Sequence, residues 1–277
     1  MTFLYSGRVS LLLILTLLLT PPRVVATETF SFGIVPQFDA RRTHKVWKPL
    51  LMRLEAETGI RFRIVGSSTI PEFETQFLAG EFDFAYMNPY HVLKASSSVG
   101  YTPLVRDIGR TLHGVIVVPN DSPITRVEEL DGKVVAFPAP NALGASLIPR
   151  ADFTNVFGIS IVPRYVQSHS SVYLNVALGE TDAGGGVQKT LGQQPVEVRD
   201  ALRVLYRTRE TAPHPLVAHP RVPEQVRNAV RDGLLAIGAT EEGRRLLEPV
   251  PIQRIGVATM ADYRPMEAWG LDALYVE

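Results

Sequence analysis

Cysteine is absent from the 277-residue chain. That excludes disulfides, thiolate metal sites, a cysteine nucleophile and lipid attachment at an N-terminal cysteine. An excess of either charge is missing too, since 28 basic residues meet 28 acidic ones. A near-neutral chain has no long-range field to attract nucleic acid or an anionic membrane surface. Long hydrophobic runs are scarce: the apolar run at 11–20 falls well short of the ~20 residues that span a bilayer. Catalytic signatures are lacking as well. The six histidines are scattered, with no His-Glu-x-x-His, no Gly-x-Ser-x-Gly elbow and no cluster at metal spacing. The chain therefore reads as a non-enzyme with no metal and no cofactor.

What is present begins with an export segment. Arg8 precedes the apolar run, Pro21-Pro22 break it, and Val24-Val25-Ala26 supplies small residues for cleavage. Residues 1–26 are expected to be a signal peptide, the run being too short to favour a bitopic anchor. The segment carries two of the basic residues, Arg8 and Arg23, and no acidic one, so the mature chain stays near neutral. Export without lipid or cysteine fits a bacterial periplasmic protein.

The mature chain alternates strand and helix. Residues 29–35 read as a strand ended by Pro36, 46–58 as a helix stopped by Gly59, 61–65 as a strand, and 70–79 as a helix stopped by Gly80. Residues 82–86 make a third strand that runs into Met87-Asn88-Pro89-Tyr90 and a further helix. This order demands a parallel sheet, whose ligands gather at strand carboxyl ends. Tyr86, Asn88 and Tyr90 sit at such an end and are candidate ligand-binding residues; two packing tyrosines and a helix cap would explain them equally well. A second series has strands at 112–118 and 159–166 and a helix at 172–178. The run Gly184-Gly185-Gly186 follows and is read as a strand end closely approached by other backbone. Then come a strand at 202–206, an extended crossover at 216–219, and helices at 223–237, 241–247 and 263–274. Two crossings between lobes are expected, near 110–113 and 211–216.

The chain is organised around residues 133–150, K-V-V-A-F-P-A-P-N-A-L-G-A-S-L-I-P-R. A short buried strand ends at two prolines, and Asn141 is placed to cap a helix whose first turn is Ala142, Leu143, Gly144 and Ala145. A helix start has unpaired N–H groups and partial positive charge, so it can receive an anion. Taken alone, the stretch also reads as an ordinary strand–loop–helix connection, and most of those bind nothing.

In order and spacing, several loose motifs resemble the phosphate/phosphonate family of periplasmic solute-binding proteins that serve ABC importers. They are Trp47-Lys48-Pro49, Gly80 with Asp83, the Asp121-to-Ile124 turn Asp-Ser-Pro-Ile, Leu130 with Gly132-Lys133, Pro149, His169, and Gly179 with Asp182-Ala183-Gly184. The resemblance implies an α/β, two-lobed type II binding-protein fold, each lobe a mainly parallel sheet flanked by helices, with two hinge crossings. Lobe 1 would comprise 27–110 plus 216–277, and lobe 2 residues 111–215, closing on a ligand like a clamp. It further implies a monomer that captures a small anionic ligand for an ABC permease; a closed form read by a membrane sensor histidine kinase is the alternative partner.

His169 matches the family's helix-start position, and His214 and Lys189 stand where aminophosphonate-binding members place carboxylates. Lys189 is expected on the solvated rim. The candidate ligand-binding set is thus Tyr86, Asn88, Tyr90, Asn141, Ala142, Leu143, Gly144, His169 and His214. One departure bears on the ligand: where phosphonate-binding members carry Ser-Thr-Ser-Gly, this chain has Ala142-Leu143-Gly144-Ala145. Each lost hydroxyl removes a charge-assisted bond of roughly 1.5–3 kcal/mol. Simple phosphonates are therefore expected to bind only at about millimolar levels, and a ligand with one anionic end and an apolar body, such as a small carboxylate, to fit better.

Overall fold

The computed structural model describes residue 2 and residues 28–250 and 252–276. The expected signal peptide lies outside the described residues apart from Thr2. The first strand, β1 (Thr29–Ile34), is buried on both faces after its first residue, as an interior strand must be. Helix α1 (Ala40–Thr58) begins earlier than apolar periodicity suggests, because Asp39 caps it by accepting from the Arg42 N–H at 2.9 Å. Its exposed first turns need no apolar residues; the buried stripe is Trp47, Leu50, Leu51 and Leu54. Next come β2 (Arg61–Val65), α2 (Ile70–Leu78) capped by Thr69, β3 (Phe84–Tyr86), α3 (Pro89–Val99) capped by Asn88, and β4 (Thr102–Asp107).

The second series holds β5 (Gly114–Pro119), β6 (Val134–Phe137), α4 (Ile148–Asn155), β7 (Val162–Tyr165), α5 (His169–Ala177) and β8 (Ala183–Val187). Two short helices, α6 (Gln188–Gly192) and α7 (Val196–Asp200), lead to β9 (Leu202–Arg207). The chain then crosses back through β10 (Pro215–Ala218), α8 (Glu224–Ala239), α9 (Glu241–Leu247) and β11 (Ile255–Val257). A single helix over 263–274 does not form. Pro265 and the left-handed Gly270 break that stretch into the 3-10 segments Arg264–Trp269 and Leu271–Leu274.

Two sheets result, in the orders β11-β4-β10-β3-β1-β2 and β7-β6-β8-β5-β9. Both are mixed rather than mainly parallel. The β1–β2, β1–β3, β6–β7 and β6–β8 pairs are parallel, whereas β10 and β5 run against both of their neighbours. The direction follows from the path. Strands within βα units point their carboxyl ends at the space between the sheets, while β5 and β10 enter directly from a crossing and run away from it. The two crossings touch, paired by an antiparallel bridge between Leu112 and Thr211. The fold is thus the two-lobed α/β architecture expected, with helices flanking two sheets.

The lobes are in contact. Ala142, Leu143, Ala145, Leu147 and Ile148 belong to the same contiguous apolar cluster as the first sheet's core residues Phe32, Phe73 and Phe84. Smaller clusters fill the two faces of the second sheet, around Phe137 and Phe153 and around Val117 and Tyr173. The glycines of β8 allow this seating. A Cβ on Gly185 would lie 2.0 Å from the Ala145 carbonyl oxygen, so the helix start rests on bare backbone.

Candidate ligand-binding site

A cavity of about 490 Å³ lies where both crossings meet the strand ends. Gln37 enters from the loop after β1, Tyr86 from the end of β3, and 110–113 from the first crossing. Pro213 and His214 come from the second crossing. Val187 at the end of β8 and the residues of α6 that follow, with Gln193, form the opposite wall. A much smaller cavity of about 20 Å³ adjoins it, walled by Ile70, Asn88, Ala142, Leu143, Gly144, Ala145 and His169. Gln37, Val187 and His214 border both.

Of the residues singled out in the sequence, Tyr86 and His214 line the large cavity, and Asn88, Ala142, Leu143, Gly144, His169 and His214 the small one. Tyr90 and Asn141 line neither. The Tyr90 hydroxyl donates to Asp272 Oδ1 at 2.7 Å, and its ring lies 5.6 Å from Tyr275. Pro89 opens α3 and turns the next side chain towards the C-terminal segment. Burial and the Asp272 carboxylate push the Tyr90 phenol well above its usual range. Asn141 does not cap the following helix. Its Nδ2 donates to Glu74 Oε2 at 3.0 Å and to the Val276 carbonyl at 2.7 Å, and its Oδ1 accepts from the Val276 N–H at 2.9 Å. The helix accordingly begins as a π-turn over Leu143–Leu147, with Ala142 as an N-cap that has no side-chain bond.

Asn88 performs the cap that its position suggests. Its Oδ1 accepts from the N–H groups of Tyr90 and His91, and its Nδ2 reaches the Asn141 carbonyl at 3.3 Å. Asn88 and Asn141 thus tie the helix start on the second sheet to the first sheet's elements.

Two histidines border the small cavity, and both are held neutral. Burial brings His169 down to about 4, and its Nδ1 lies 3.4 Å from Thr190 Oγ1. His214 falls to about 3 through burial, aided by His91, His169 and Arg110 nearby. It stacks on Tyr86, with ring centroids 5.4 Å apart at 22°, and its Nε2 lies 3.2 Å from Gln37 Nε2. Neutral imidazoles can donate or accept a hydrogen bond but add no charge for an anion.

Positive charge lies in the large cavity instead. Arg110 lines it while its Nε contacts Asp107 Oδ2 at 2.8 Å. The Asp107 carboxylate is fully engaged beneath the wall, accepting also from the N–H groups of Gly109, Gln253 and Arg254. Lys189 lines the same cavity, half-buried, and forms no hydrogen bond or ion pair among the described residues. Desolvation and the Arg110 charge lower its pKa, with Glu248 and Asp107 opposing. No carboxylate is among the lining residues. Several polar atoms of these lining residues are shut off from solvent without a partner: both ring nitrogens of His113 and the Oε1 atoms of Gln188 and Gln193. Arg110 was visible in the sequence only as a residue at a strand entry, and Lys189 only as a rim residue. Neither lies in a motif; they meet because α6 follows β8 immediately and faces the first crossing.

Among the described residues no group of histidines and carboxylates could hold a metal ion, and no helix is long and apolar enough to cross a membrane.

The fold and sequence have known counterparts. A binding protein component of an ABC phosphonate transporter from Pseudomonas aeruginosa superposes with a TM-score of 0.77 at 17% identity, covering 88% of this chain and 85% of that one. PhnD1 from Prochlorococcus marinus, solved with methylphosphonate, gives a TM-score of 0.78 at 15% identity, covering 88% and 98%. In sequence, the chain is 24% identical over 175 residues to a phosphate-import protein, PhnD, from Mycolicibacterium smegmatis. That match takes in 57% of this chain and 54% of the relative, so it spans about half the relative's length. Residues 32–263 match the family described as "ABC transporter, phosphonate, periplasmic substrate-binding protein", and the chain belongs to that family.

Proposed function

We propose that this is a non-catalytic periplasmic binding protein that captures an organic anion between two lobes and delivers it to an ABC-type permease. The lobes would be 27–110 with 216–277, and 111–215, turning about the paired crossings at Leu112 and Thr211. The signal peptide at 1–26 would direct export. One observation carries this reading: a cavity of about 490 Å³ walled by both crossings and by strand ends of both sheets, with Arg110 and Lys189 and no carboxylate. Cavities of ~300–1,000 Å³ are the usual size for small-molecule capture. A cationic wall without acids repels ammonium groups and favours negative ones.

Methylphosphonate, the ligand of the Prochlorococcus relative, is a poor candidate here. The small cavity at the helix start holds about 20 Å³, room for about one water, which needs ~10–15 Å³ of such space. It also has an apolar Leu143 where hydroxyl donors would be needed.

The test is to purify the protein from periplasm, release any retained solute, and follow lobe closure by small-angle scattering as that solute is returned. A smaller radius of gyration on binding, together with loss of uptake of that solute in a deletion strain, is expected. An unchanged radius with every retained solute, or uptake that survives the deletion, would remove the proposal.

A further inference from the structure

We infer that the anionic group of the ligand sits beside the hinge, between Lys189 and Arg110, and that the ligand is a multi-atom organic anion bearing hydrogen-bonding groups. This rests on the capture role proposed above and specifies its ligand. Four observations lead to it. The space is there: about 490 Å³ at the hinge against about 20 Å³ at the helix start. The larger cavity has many times the room of the smaller, far more than inorganic phosphate or methylphosphonate would fill.

The charge is there as well. Lys189 is half-buried with no ion-pair partner among the described residues, whereas Arg110 is already anchored by Asp107. Two cations close enough for one to lower the other's pKa gain from an anion placed between them. Arg110, held by Asp107, can receive it without moving. Lys189 needs it more.

The remaining polar lining indicates the body of the ligand. The side chains of Gln188, Gln193 and His113 line the same cavity, and amides and imidazoles both donate and accept hydrogen bonds. They suit a ligand body that carries hydroxyl or amide groups of its own. A bare oxyanion would satisfy the cations and leave this polar lining unused. Lastly, the stacked Tyr86–His214 pair and Leu112 supply a flat, weakly polar wall suited to a ring or carbon chain. Sugar phosphates and hydroxylated carboxylates share this combination of one strong negative group and several hydroxyls.

Titration calorimetry at pH 7.5 would test this with glucose 6-phosphate, gluconate, methylphosphonate and inorganic phosphate, on the wild-type protein, Lys189→Gln and Lys45→Gln. The last makes the same charge change on the exposed face of α1. Glucose 6-phosphate or gluconate should bind at least tenfold more tightly than methylphosphonate and phosphate. Lys189→Gln should cost that ligand tenfold or more with an unchanged melting temperature, and Lys45→Gln less than twofold. The two hydroxylated probes separate phosphate from carboxylate as the preferred head group. Tightest binding by methylphosphonate or phosphate, equal affinity in Lys189→Gln, or no binding by any of the four would each overturn the inference. If a solute retained from periplasm still closes the lobes with unaltered affinity in Lys189→Gln, this inference fails while the capture role stands.

Discussion

The two cavities between the sheets share Gln37, Val187 and His214, yet they differ in nearly everything else. The one at the helix start is almost filled, faced by Ile70 and Leu143 and bordered by histidines kept neutral by burial. The one at the hinge is roomy and carries both cations. The difference shows that the usable space of this crevice lies at the hinge and not at the helix start. Ala142, Leu143 and Ala145 at the helix start pack into the first sheet's core. Packed apolar surface there stabilises lobe contact at roughly 25 cal/mol per Å² buried, and closes the place where a small oxyanion would sit.

The largest expected effect separates the cavities by pH. His169 and His214 have folded-state pKa values near 4 and 3, below the ordinary value of 6.5. The unfolded chain therefore binds more protons than the folded one between those limits, and stability rises with pH across that window. Acidification from pH 7 should leave stability nearly unchanged until about 6.5 and then lower it by about 1.4 kcal/mol per pH unit for each histidine. By pH 5 the two together should have cost on the order of 3–4 kcal/mol. Urea denaturation across pH 5–8 would show this, and His169→Gln should roughly halve the slope; an unaltered slope would place the proton uptake elsewhere.

Next in size is the seat of the helix start. A methyl group on Gly185 would collide with the Ala145 carbonyl at 2.0 Å and with the Phe137 ring. Gly185→Ala should cost about 1–3 kcal/mol through overpacking, read as a lowered melting temperature. If the helix start lifts to make room, the small cavity enlarges and methylphosphonate affinity should rise. A variant as stable as the parent would mean that the seating is loose.

Much of this was legible in the sequence, and the reasons are local. Strand and helix alternate cleanly from β1 to α3 because each element carries its own periodicity and stop, such as Gly59 and Gly100. The triple glycine of β8 announced close approach, and the Ala145 carbonyl is what approaches. β4 escaped notice, since T-P-L-V-R-D has no period-two alternation and opens with a threonine and a proline. The direction of β5 and β10 depends on where the chain crosses, which no local pattern records. The same holds for the hinge cavity: Arg110 and Lys189 are far apart in sequence and only the crossing brings them to one wall. Tyr90 lies outside both cavities for a helical reason, because two positions after Asn88 on a new helix is a different face from two positions along a strand.

A smaller effect probes the link between the lobes. Asn141 uses its whole amide on Glu74 and on both backbone groups of Val276. Asn141→Ala would leave the Val276 N–H and C=O and Glu74 Oε2 short of a partner, costing about 1–2 kcal/mol. Glu74 keeps its other oxygen on His91 Nε2 at 2.8 Å, so the pair beneath survives. Because Asn141 lines neither cavity, the loss should appear as a larger radius of gyration without ligand rather than as altered contacts to it.

The smallest expected effect isolates Tyr90, whose hydroxyl is spent on Asp272. Asp272 is also held by Lys94 Nζ at 2.6 Å, and its carboxylate is mostly exposed. Hydrogen bonds and ion pairs at such a site contribute little, because water replaces what is lost and salt screens the rest. Tyr90→Phe should therefore lower stability by no more than about 1 kcal/mol and leave ligand affinity within twofold. Tyr86→Leu is the contrasting change. Its ring stacks on His214, packs on Trp47 and lines the hinge cavity, so removing it should weaken binding several-fold at a larger stability cost. Calorimetry on the two variants side by side decides the matter: a loss of affinity in Tyr90→Phe equal to that in Tyr86→Leu would mean that the C-terminal segment, and not the hinge cavity alone, shapes the binding surface.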